Sequence, residues 1–128
     1  MNKQLSIFDY FSIEPFKDKT DFIEKTVHQI RKDFALSGLK LDLPENQELK
    51  NYDELFSHLR PAIENLLQKE YPRLLSLLYQ IDLTPETIHK AKIEQPDLTE
   101  TELITALIIN REFKKIVIRM YFRSKSMN

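Results

Sequence analysis

Apolar residues recur along this 128-residue chain at helical spacing. Ile23, Val27, Ile30 and Phe34 follow an i, i+4, i+7, i+11 pattern, which turns one face of a helix over 21–37 toward a core. Thr20 is placed to cap its start, with Asp21 and Glu24 in the first turn. Gly38, the only glycine, follows at once and can take the left-handed conformation that closes a helix. Leu39, Leu41 and Leu43 then alternate with Lys40 and Asp42. A lone period-two stretch has no strand to pair with, so extended chain laid over helices is expected. Leu55, Leu59, Ile63, Leu66 and Leu67 form the next stripe, opened near Asn51 with Glu54 three residues on. Pro61 falls inside it, where proline costs about 3 kcal/mol, so a continuous but bent helix is expected. Pro72 predicts a break or kink at Tyr71. In the following segment Tyr71, Leu74, Leu75, Leu78 and Ile81 are expected to face one way. Thr84-Pro85-Glu86 starts a short helix running to about Glu94, with Ile88 and Ala91 inward.

The pattern is densest over Thr99–Phe122. Thr99 and Glu102 have capping-box spacing, and neither Gly nor Pro follows them. At about 100° per residue, Leu103, Ala106, Leu107, Ile109, Phe113, Ile116, Val117 and Met120 share one broad face. Ile104, Ile108, Ile118 and Phe122 form a second apolar stripe outside it. A helix this apolar is surrounded by neighbours. The second stripe is expected to be covered by the N-terminal arm or by a second copy of the chain in a homodimer. Together these elements predict an all-α fold: one compact bundle of five or six helices with a long central C-terminal helix. Residues 1–19 read as an arm and 20–128 as the helical domain.

Composition narrows the function classes. Apolar residues make up 41% and charged residues 30%, which suits a globular domain. The absence of Cys excludes disulfides, thiolate metal sites and a Cys nucleophile, and fits a cytoplasmic setting. The N-terminus lacks the pattern of a signal peptide, and no apolar run approaches the roughly 20 residues that span a bilayer, so no membrane partner is expected. A single Gly excludes Gly-rich nucleotide loops, and no cofactor motif appears. Net charge is −1, but residues 110–128 hold six cations against Glu112, a balance of +5, leaving −6 elsewhere. Favourable charge at a helix C-terminus accounts for this in part. The functional reading is a basic surface of Arg111, Lys115, Arg119 and Arg123, for nucleic acid or an acidic partner.

Three Glu–His pairs at helical spacing occur: Glu24–His28, Glu54–His58 and Glu86–His89. Ordinary surface pairs explain them. Glu86-x-x-His89 has the spacing used in carboxylate-bridged metal bundles, and a helical metal-dependent enzyme built on Glu86 and His89 is the alternative function. The remaining carboxylates fall at helix starts and in loops, where helix-end electrostatics accounts for them.

Two resemblances add to this. LLYQIDL over 77–83, with ELITALIINREFKK over 102–115, resembles a family of small, mostly uncharacterised bacterial helical proteins. It implies an all-α fold and a bacterial cytoplasmic origin, and carries over no catalytic residue. Within it, Tyr79 is expected to pack its ring and Asp82 to sit near a helix junction and cap the helix opened by Thr84. Gln4-Leu5-Ser6-Ile7-Phe8 resembles the bacterial sliding-clamp-binding pentapeptide, with Ile7 in place of Leu. That resemblance implies Gln4, Leu5, Ile7 and Phe8 as partner-binding residues. The expected function is a non-enzymatic interaction module with a protein partner.

Overall fold

Three apolar stripes begin at a residue whose side chain closes the open amide end of a helix. Asn51 Oδ1 accepts from the Glu54 N–H at 2.9 Å, and Thr84 Oγ1 accepts from the Thr87 N–H at 3.2 Å. At Thr99 the closure is reciprocal. Its Oγ1 accepts from the Glu102 N–H at 3.1 Å, and Glu102 Oε1 accepts from the Thr99 N–H at 2.9 Å. These bonds from Thr99 hold the Glu102 carboxyl below its ordinary range. The computed structural model describes residues 14–44 and 49–126. Over them a 3₁₀ turn, Glu14–Phe16, precedes α1 (Thr20–Leu36), α2 (Tyr52–Lys69), α3 (Tyr71–Gln80), α4 (Pro85–Glu94) and α5 (Glu100–Ser126). No strand occurs among the described residues.

Two helices end in the same way. Beyond α1, Gly38 adopts φ +74°, and the Leu39 and Gly38 amides return to the Phe34 and Ala35 carbonyls. Beyond α3, Asp82 adopts φ +65°, and the Leu83 and Asp82 amides return to the Leu78 and Tyr79 carbonyls. Both are Schellman closures, and each buries the leucine that follows the left-handed residue. Asp can hold this conformation because its short polar side chain tolerates it. Asp82 thus sits at the helix junction as expected, but the cap of α4 is Thr84 Oγ1 and not Asp82.

The prolines act differently. α2 runs unbroken through Pro61. At Pro72 the helix breaks: α2 ends at Lys69, Glu70 is the joint, and Pro72 lies in the first turn of α3, where its missing N–H is harmless. Leu39, Leu43 and Leu49 are buried. Arg31 donates to the Leu43 carbonyl at 3.0 Å and to that of Pro44, tying the extended stretch to α1.

Four expectations are corrected. α1 starts at Thr20 rather than after it, and Lys19, at the cap position, makes no side-chain cap bond. The Phe16 ring packs on Phe22 at 4.7 Å and sets the entry angle instead. On α3 the buried arc is Leu74, Leu77, Leu78 and Ile81, so Tyr71 and Leu75 face out. Tyr79 is 81% exposed, not packed. Finally, Ile104 and Ile108 are buried in the same core as α2 and α3 within the single chain, so a second copy is not needed to cover them. Ile118 is half-buried and Phe122 exposed.

α5 packs against α1 and α2 and meets α4. Its buried face holds Leu103, Ile109, Phe113, Ile116 and Val117, as its periodicity predicts. α4 contributes no fully buried residue and rides on the surface. No helix among the described residues is long and apolar enough to cross a membrane.

Candidate functional site

The polar groups of the interior converge where α1 meets the second half of α5. On α1, Lys25, Gln29 and Asp33 are spaced four apart and share a ridge. On α5, Glu112, Ile116, Arg119 and Arg123 repeat at three- and four-residue spacing. At the inner end lie two carboxyl groups, Asp33 at 6% exposure and Glu112 at 1%. Gln29 Nε2 donates to Asp33 Oδ1 at 3.1 Å, leaving Asp33 Oδ2 buried without a donor. The Lys115 ammonium lies 3.1 Å from Glu112 Oε1. Burial nevertheless pushes the Glu112 carboxyl up to about 8, and a hydrogen bond to Asp33 adds to it. Lys115 pulls the other way, but the cost of ionising a carboxyl away from water is larger. Burial of this kind favours the neutral carboxyl of Glu112 over the carboxylate.

The outer end of the ridge opens as a cleft of about 370 Å³ between α1 and α5. Among the described residues Lys25, Arg119 and Arg123 line it together with the Glu24 carboxylate. Ile116 and Met120 form its apolar wall, and His28 lies at its α1 side. Gln29 joins the two ends: Arg119 Nη1 approaches its Oε1 at 3.5 Å while its amide holds Asp33.

The four residues read as one basic surface have separate placements. Arg111 donates to the Ile81 carbonyl at 3.1 Å and pairs with Asp82 at 3.4 Å, bracing the end of α3. Lys115 attends Glu112, and Arg119 and Arg123 line the cleft. His89 and Glu86 are exposed on α4. Among the described residues no three His, Cys, Asp or Glu side chains come together to hold a metal. His58 Nδ1 lies 2.8 Å from the backbone oxygen of Glu54, one helical turn away. Gln4, Leu5, Ile7 and Phe8 lie outside the described residues.

The buried acid pair is absent from the sequence reading, which placed carboxylates at helix starts and in loops. A signal for it existed. Asp33 interrupts the Ile30–Phe34 stripe, and Glu112 adjoins Phe113 within an otherwise basic run. Two acids on the apolar faces of two helices will meet if those helices pack.

The chain matches no family model, no curated protein and no solved structure. The likenesses to the LLYxID-type family and to the clamp-binding peptide rest on the residues quoted for them.

Proposed function

We propose that the chain is a non-enzymatic interaction module that engages a DNA sliding clamp through residues 4–11. The observation that carries this reading is the run Gln4-Leu5-Ser6-Ile7-Phe8, which has the clamp-peptide order of residues. Leu5, Ile7 and Phe8 supply apolar area for a pocket at about 25 cal/mol per Å², and Gln4 supplies an orienting hydrogen bond. The entropy lost on association offsets part of that gain, so the expected affinity is micromolar, about −8 kcal/mol. A binding role for the folded part is supported by α3. Tyr71, Leu75 and Tyr79, four residues apart, are 48%, 45% and 81% exposed and form an aromatic-aliphatic row on its outer side.

Titration calorimetry of the full chain against its host's sliding clamp tests the proposal. Micromolar binding is expected, lost on removing residues 1–12 while the thermal midpoint stays unchanged. Absence of binding by the intact chain, or a large stability loss on truncation, overturns it.

A further inference from the structure

We propose that the outer row of α3 is the interface of a weak two-fold dimer of this chain, in which two copies of α3 cross antiparallel at Leu75. This gives the row a partner, and it stands whether or not residues 4–11 reach a clamp. The outer face of α3 is bounded within the chain. On the side of α1, Arg73 Nη1 donates to the Gly38 carbonyl at 2.9 Å, and the Ser37 hydroxyl donates to Gln80 Oε1 at 2.6 Å. On the inner side, Leu74, Leu77, Leu78 and Ile81 enter the core. What is left outward is Tyr71, Pro72, Leu75, Ser76 and Tyr79, all exposed and none charged, in a chain of which 30% is charged. Tyrosine without charge is the composition of an interface centre, not of bare surface.

The order of the row selects the occupant. Tyr71, Leu75 and Tyr79 read the same in both directions, with a tyrosine four residues to each side of Leu75. A two-fold axis at Leu75 sets Tyr71 against the partner's Tyr79, and the reverse, which is the self-matching that an isologous contact requires. Pro72 and Ser76, one position along, are short and form the groove beside this ridge. Ridges of four-residue spacing that pack into such grooves cross at about 50°. Charge sets the direction. Lys69 precedes the row and is exposed. Asp82 follows it, paired with Arg111 yet still 74% exposed at its side chain. Antiparallel copies bring Lys69 toward the partner's Asp82, whereas parallel copies would set like charges together.

The size of the row sets the strength. A tyrosine supplies about 150–250 Å² when wholly covered, and α3 is ten residues long. The contact therefore falls in the class below about 1,200 Å² in total, that of weak encounters and not of permanent dimers. A dissociation constant on the order of 100 μM is expected.

Sedimentation equilibrium of the full chain, taken to roughly ten times that concentration, should show monomer and dimer in exchange. Tyr79→Lys, at a side chain already open to solvent, should weaken the dimer at least about tenfold without moving the thermal midpoint of the dilute protein. Leu75→Lys sets two like charges across the axis and should weaken it further. Single cysteines read the register, since the chain has none of its own. Leu75→Cys should join to itself through a short bis-maleimide at least about tenfold faster than Ile93→Cys, a control 68% exposed on α4. Tyr71→Cys and Tyr79→Cys should join to each other faster than either joins to itself. If Leu75→Cys itself loses the dimer, the two lysine variants decide. A dimer untouched by both lysine variants overturns the proposal, as does slow self-joining in a Leu75→Cys chain that still dimerises. So does a chain that stays monomeric throughout. In that case a Leu75→Cys thiol slow to label would assign the row to the chain's own residues, and a fast one to a different protein.

Discussion

The two halves of α5 belong to one uninterrupted helix and are built on different principles. The first half is dry: Leu103, Ile104, Ile108 and Ile109 enter the core, and buried Thr105 returns its hydroxyl to the Thr101 carbonyl within the helix. From Asn110 onward the helix also reaches other elements through polar groups. Asn110 Oδ1 accepts from the Tyr52 hydroxyl at 2.8 Å, Arg111 holds the end of α3, Glu112 meets Asp33, and Arg119 meets Gln29. Apolar burial supplies adhesion without direction, since it scales with area and not with angle. Directional polar contacts specify which neighbour lies where.

The largest expected effect comes from charging the dry half. Ile109 is fully buried, and Ile109→Asp should cost on the order of 4 kcal/mol, because an unpaired carboxylate has no donor there. Met120, half-buried at the cleft, should tolerate the same change at a cost of about 1 kcal/mol or less. Urea unfolding of both variants measures the difference, and equal losses would dissolve the contrast between the halves.

The second effect is pH-dependent and belongs to the polar half. Glu112 holds its proton up to about 8 when folded, against an ordinary value of 4.5. Between those values the folded state binds more protons than the unfolded state, so stability falls as pH rises through the window and levels off above it. The slope from this group approaches about 1.4 kcal/mol per pH unit. Glu112→Gln should flatten that slope and leave the variant more stable than the parent at about pH 9. Denaturant midpoints across the window check this; a parent protein already flat there would mean that Glu112 is ionised throughout.

The smallest effect tests the start of the dry half. Thr99→Ala removes a capping oxygen and should cost about 1 kcal/mol, while Thr99→Asp should keep most of the stability. A loss confined to the first turns of α5, seen as faster amide exchange near 100–104, would show that the two halves open separately.

Local order was legible where one stretch of chain supplies both partners of an interaction. The capping box at Thr99, the Asn51 and Thr84 caps, the left-handed Gly38 and the break at Pro72 all follow from residues within a few positions of one another. Less was legible on α3, whose buried arc turned out to lie away from Leu75 and Tyr79. Its run of leucines is apolar on too many sides for periodicity to choose among them. The candidate site was legible only in pieces: Arg119 and Arg123 stood out, but Lys25, Gln29 and the acid pair did not.

By itself, then, the order of residues determined the helices, most of their ends and the buried face of α5, because a helix couples residues three and four apart. Only the tertiary structure decided which ridge of α1 meets which ridge of α5. That meeting puts Asp33 against Glu112, where burial raises the carboxyl of Glu112. It also puts Lys25 across a cleft from Arg119 and Arg123, over 90 residues away in sequence. Desolvation and charge proximity depend on distance in space, and no spacing along the chain encodes them.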